Sequence, residues 1–150
     1  MPRLSVLGHP VHPIAQAVPA SMLPASTTFD ALAYVMGDEE GFSKAGHYTL
    51  IFGLAGGAAA AATGILDYYE IHNRPVRRTA LYHGLANAAL LASYSASLAL
   101  RENRRAGFAA LSLSAFGASL IGASGYLGGK LVYEHGVRVG EDRDGIPGAA

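Results

Sequence analysis

Four long stretches of the chain carry no charged side chain: Leu4 to Phe29, Ala45 to Leu66, Thr79 to Leu100 and Ala106 to Gly129. An amphipathic helix of a water-soluble bundle turns a charge to solvent every turn or so, and these stretches do not. About 20 helical residues, rising 1.5 Å each, cross a hydrocarbon core of about 30 Å. The pattern therefore predicts four transmembrane helices, over residues 13–37, 47–66, 81–100 and 107–129. The polar connectors Asp67 to Arg78 and Arg101 to Arg105 are short, and short connectors make successive helices antiparallel. The expected fold is all-α: a four-helix transmembrane bundle running up-down-up-down, with both termini on the same side. Residues 1–139 form the membrane domain and 140–150 a flexible polar tail.

The first span is interrupted by Pro19 and Pro24 and contains Asp30. A kinked helix is expected, with Ser21, Ser26, Thr27 and Thr28 close enough to re-satisfy carbonyls that proline frees; a re-entrant segment is the alternative. Asp30 is either near the interface where helix one ends or paired inside the bundle, and its position favours the interface. The second span contains Gly53, Gly57 and Gly64, the fourth Gly122, Gly125 and Gly129. Small residues let backbones approach where lipid removes the hydrophobic drive, so helices two and four are the expected close contacts.

Eleven Lys and Arg balance eleven Asp and Glu, which leaves no electrostatic footprint for nucleic acid. Without cysteine the chain forms no disulfide and offers no thiolate ligand. A mean hydropathy of +0.25 reflects spans rich in Ala, Gly and Ser rather than Leu and Ile. No signal-peptide pattern opens the chain at Met1 to Pro10. On the terminal face lie Arg3, Arg74, Arg77, Arg78, Lys130, Arg138 and Arg143, against Lys44, Arg101, Arg104 and Arg105 opposite. By the positive-inside rule the termini are expected to be cytoplasmic.

His9, His12, His72, His83 and His135 fall on the terminal face, and only His47 on the other. His83 and Asn87 are one turn apart, on a stripe continuing through Leu90, Tyr94 and Ser97 that should face the bundle interior. Gln16, Thr27 and Asp30 form a comparable stripe on helix one. Asp67, at the end of helix two, emerges at the level of His83, so the two are expected within reach. In His9-Pro10-Val11-His12-Pro13 a polyproline conformation puts both imidazoles on one side, roughly 9 Å apart, so at most one joins His83 as a ligand. Two readings stand side by side for His9, His12, Asp67, His83 and Asn87. They are hydrogen-bonded groups that fix the bundle's register, or a haem, metal or proton-relay site in which His12 and His83 are the candidate ligands.

Other motifs fail on inspection. Ser124 occupies the place of the first glycine of a phosphate loop ending at Lys130, and Leu131 follows the lysine. Gly122 to Tyr126 misses the spacing of a nucleophile elbow by one residue, and no HExxH occurs. No catalytic residue is assigned, and an enzyme is not the expected reading.

Gly8-His9-Pro10-Val11-His12-Pro13, Phe29-Asp30, Thr63-Gly64-Ile65-Leu66-Asp67-Tyr68, His83 with Asn87, and Gly125 to Tyr133 resemble, in order, the motifs of the bacterial membrane proteins grouped as domain of unknown function 2231. The likeness runs from about Leu7 to Val139 and implies four spans in a bacterial inner membrane. Some relatives carry a fused Rieske domain, which implies a redox neighbourhood. This chain departs from the pattern at Gln16, Ala17 and Arg138. The leading expectation is an accessory or scaffold protein of a respiratory or redox assembly, with lipid, other membrane subunits or a second copy as partners and no cofactor assigned. The alternative is an electron carrier holding haem b or a metal ion through His83 and His12. A small transporter ranks last, since the polar stripes reach only partway across.

Overall fold

The computed structural model describes residues 5–7, 9–37 and 40–137. Arg3, Gly8, Arg138, Arg143 and the expected tail 140–150 lie outside the described residues. Two short strands, β1 (Ser5–Val6) and β2 (His9–Pro10), pair antiparallel ahead of four helices: α1 (Val11–Met36), α2 (Gly41–Glu70), α3 (Arg74–Ala99) and α4 (Phe108–Gly129). A π-helical turn, Lys130–Glu134, prolongs α4.

Local sequence accounts for the helix ends. Gly37 closes α1 with a left-handed φ of 66°, its N–H donating to Ala33 O, a conformation that a Cβ would strain. Asn73 caps α3 by accepting from the Val76 N–H, with Pro75 in the first turn where no N–H is needed. Between α3 and α4 the chain reverses at Asn103 and Arg104, both with positive φ, while the Arg105 N–H donates to Glu102 O. Two successive positive φ values are the signature of a type I′ turn.

Pro19 and Pro24 sit inside α1 without ending it. Ser21 donates to Ala17 O, Ser26 and Thr27 to Leu23 O, and Thr28 to Pro24 O. These are not the carbonyls of Ala15 and Ala20, four residues before each proline, so the expected re-satisfaction is not what these hydroxyls do. Nor does His9 to Pro13 form a polyproline run: His9 and Pro10 belong to β2, and His12 and Pro13 lie in the first turn of α1, where proline's missing donor is harmless.

The buried positions of α1 are Pro19, Leu23, Ser26, Asp30 and Ala33, and those of α2 are Ser43, Gly46, Leu50, Gly53, Gly57 and Ala60. Steps alternating between three and four residues form the seam of a left-handed helix pair. α1 packs most extensively on α2 and α3 on α4, so the molecule is two helical hairpins laid side by side. The small residues accordingly receive neighbours other than those expected. A Cβ on Gly53 would lie 2.6 Å from Leu23 Cδ2 of α1, Gly57 faces Leu91 of α3, and Gly122 and Gly125 have nothing within 4 Å. Short connectors make sequential helices neighbours, which leaves α2 and α4 across the bundle from one another.

The interior is small and polar: Ser26, Ser93, Ser97, Ser114 and Ser124 are buried, and Leu23, Leu50, Leu90 and Tyr94 form the apolar centre. The exterior is large and apolar, with Val18, Phe52, Leu85 and Phe116 exposed. That distribution inverts the one water imposes. Taken singly, α2 and α4 with its extension (Gly41–Glu70 and Phe108–Glu134) are long and apolar enough to cross a membrane. α1 and α3 fall short of that measure because their inward faces carry Ser, Thr, Tyr, Asn87 and His83.

Asp30 is paired within the bundle, at the end that carries the α3–α4 connector. Arg101, just beyond the end of α3, reaches back to it with both terminal nitrogens, Nη1 at 3.0 Å from Oδ1, and each side chain is 1 % exposed. Gly46 makes room, since a Cβ there would run into the Asp30 carboxylate. Breaking such a buried pair leaves one charge uncompensated and costs about 3–5 kcal/mol, whereas replacing both charges by apolar groups is often near neutral. Asp30→Leu alone is therefore expected to lower the unfolding temperature in detergent sharply, and Asp30→Leu with Arg101→Leu to recover most of the loss. In the same assay Gly53→Ala, which forces a methyl into Leu23, should cost about 1–3 kcal/mol, and Gly122→Ala should be neutral or stabilising.

Candidate functional site

At the end of the bundle away from Asp30, the two hairpins separate around a cleft of about 690 Å³ whose lining includes His12, Gln16, Asp67, His83 and Asn87. The rest of the wall is mainly apolar, and Val137 from beyond the π-helical turn reaches it, so both ends of the described chain lie at this end. His9 is not among these residues; it is exposed, its Nδ1 3.0 Å from Leu7 O within the strand pair. His72 bonds to Glu70 O in the α2–α3 connector, and His47 sits edge-on to Tyr48 among residues of the opposite end.

His12 and His83 are held alike. The His12 Nδ1–H donates to Ala60 O at 2.9 Å, and its ring lies over Gly64, where a Cβ would come within 2.8 Å of Cε1. The His83 Nδ1–H donates to Ser124 O at 3.0 Å, and its ring lies over Gly128, where a Cβ would come within 3.1 Å of Cε1. Each histidine thus bonds the carbonyl four residues before the glycine it covers. A carbonyl only accepts, so both imidazoles carry their proton on Nδ1 and turn a lone pair out at Nε2. The rings are 6.5 Å apart, centroid to centroid, and nearly perpendicular.

The likeness extends along both hairpins. At one constant offset, His12, Leu23, Ser26 and Asp30 of α1 correspond to His83, Tyr94, Ser97 and Arg101. At another, Gly53, Ala60 and Gly64 of α2 correspond to Gly117, Ser124 and Gly128 of α4. Contacts follow the correspondence: Leu23 fills the space at Gly53, and Tyr94 the space at Gly117. The chain is built as two copies of one hairpin, and the Asp30–Arg101 pair joins equivalent positions of the two.

Asn87 separates the two histidines in kind. Its Nδ2 donates to His83 Nε2 and to His83 O, both at 3.0 Å, while its Oδ1 accepts from the Ser124 hydroxyl at 2.9 Å. Both His83 nitrogens are therefore engaged by Ser124 and Asn87, and these partners stand where Asp67 was expected. Gln16, the counterpart of Asn87, shares the cleft wall, and His12 Nε2 has no hydrogen-bond partner among the described residues. Deeper in the bundle Thr27 and Tyr94 bond at 2.8 Å, which joins the stripes of α1 and α3. Ser124, Ala60 and Arg101 were not singled out for this work from sequence. A backbone carbonyl has no sequence signal, but the repeated His-to-glycine spacing of the two hairpins would have pointed to Ser124.

The match to a family model extends over residues 8–141, under the description predicted membrane protein (DUF2231), and the chain belongs to that family. No curated protein and no solved structure matches it.

Asn87→Ala removes the partner of His83 Nε2 and of the Ser124 hydroxyl together, and leaving buried polar groups unpaired costs about 1–3 kcal/mol. The expected result is a lowered unfolding temperature, with a smaller drop for Ser124→Ala, which keeps the bond from His83 to the Ser124 carbonyl.

Proposed function

We propose that all four helices cross a bacterial inner membrane with the chain ends cytoplasmic, and that the bundle is an accessory subunit holding one transition-metal centre, haem iron or a bare ion, between His12 and His83. The observation that carries the reading is the pair of Nδ1–H bonds to Ala60 O and Ser124 O. Metal-ligating histidines almost always give the other ring N–H to a carbonyl or carboxylate, which fixes the tautomer and raises the basicity of the ligating nitrogen. The two rings stand 6.5 Å apart, centroid to centroid, on opposite hairpins and line one cleft, which supports the reading. Cofactor sites in helical bundles are built in this way, from side chains on facing helices. Membrane crossing by α1 and α3 is supported by their exposed Ile14, Val18, Leu81 and Leu85, and the orientation by the Lys and Arg bias.

A second reading is favoured by Asn87. With His83 Nε2 already bonded, the cluster is a closed hydrogen-bond network, and the protein is a scaffold that binds no metal. Metal analysis and an absorption spectrum of the protein, purified in mild detergent from membranes, separate the two. About one metal atom per chain is expected, lost in His12→Ala and in His83→Ala. A colourless, metal-free protein that stays so after incubation with hemin, copper and zinc would leave the scaffold reading.

A further inference from the structure

Resting on that two-histidine reading, we infer that the centre is a haem, inserted from the α2–α3 side of the cleft with its acidic edge at Arg77. The first observation is the ligand count. Among the described residues no group of three or more His, Cys, Asp or Glu is placed to hold a metal ion. A bare zinc ion takes four ligands, three or four of them from protein, and harder ions take six or more oxygens. Iron already held by four porphyrin nitrogens needs only two further ligands: His12 would supply one, and His83 the other once Asn87 Nδ2 gives up His83 Nε2 and keeps its second acceptor, His83 O.

The second observation is the shape and chemistry of the cleft. About 690 Å³ is far more than an ion requires, and the wall is mainly apolar, as suits a large flat ring and not a hydrated cation. Ile65 of α2 and Leu81 and Leu85 of α3 line the cleft while remaining exposed, so it opens between these helices toward the surrounding lipid.

The third is charge at the rim. Tyr68 lines the cleft, and the Arg77 guanidinium stands 4.8 Å from the centre of its ring. Arg77 lies one turn before Leu81, on the polar side of the opening. A ligand with an apolar body, a coordinating centre and carboxylates at one edge matches histidines inside, apolar walls between and a cation outside, with Asp67 the acidic residue of the lining. Guanidinium and carboxylate pair well in that half-dry setting. When bound, the haem supplies one-electron chemistry; the chain's own part is to hold the ring, exclude water and anchor the carboxylates.

The test is titration of the purified full chain, in detergent, with hemin, and separately with copper and zinc salts. The expected result is one hemin per chain with the absorption of a low-spin, six-coordinate iron. That spectrum should be lost in His83→Ala, lost in His12→Gly and restored to His12→Gly by added imidazole, which shows that the variant is folded. Arg77→Gln should keep the spectrum and weaken hemin binding several-fold. One copper or zinc per chain, lost in both histidine variants, with no hemin spectrum overturns the haem and leaves the two-histidine reading. Binding of neither overturns both. Hemin taken up equally by the histidine variants is partition into detergent, and it too overturns the inference.

Discussion

Lipid tails compete with the protein's own apolar side chains, so burying leucine cannot by itself draw helices together inside a bilayer. Close backbone approach and hydrogen bonds between helices must do so instead. This constraint explains why the bundle looks inside out. Buried serines and glycines surround a small apolar centre of Leu23, Leu50, Leu90 and Tyr94, while valines, other leucines and phenylalanines face outward. It also explains why two of the buried side chains have a glycine opposite, Leu23 against Gly53 and Tyr94 against Gly117. A close-packed seam is obtained by removing atoms from one side and inserting them from the other.

The two ends of the bundle are treated differently. At one, Asp30 and Arg101 join the hairpins through an ion pair shielded from water. At the other, the histidines bind carbonyls within their own hairpins, and His83 goes no further than Asn87 of its own helix. The ion pair thus joins the hairpins at one end, and at the other the α2–α3 connector joins them while the cleft lies between.

Much of the architecture was legible in the sequence, because uncharged stretches of helical length with charges gathered between them leave few alternatives. The inward stripe through His83, Leu90, Tyr94 and Ser97 followed from helical spacing alone. Asp30 was harder: its partner comes from a connector 71 residues away in sequence, and nothing local marks Arg101 as turning inward rather than out to the headgroups. The close contacts of α2 were misread because a small residue shows that something approaches, not what does. Gly57 receives Leu91, and only the ring of neighbours imposed by short connectors identifies α3 as the donor. Of the residues proposed for a site, the cleft gathers His12, Asp67, His83 and Asn87 and leaves His9 outside. The difference arises because a helix beginning at Val11 parts two histidines that an extended backbone would have aligned.

The hairpin repeat bears on ancestry. Two identical hairpins meeting as separate chains would bring like residues together at equivalent positions, aspartate against aspartate or arginine against arginine, and neither pairing is tolerable away from water. Once both copies sit in a single polypeptide they mutate independently, and one can become acidic as the other becomes basic. Fusion thus opens a complementarity closed to any symmetric dimer, and it equally lets Asn87 bond one imidazole while the twin's Nε2 has no partner among the described residues.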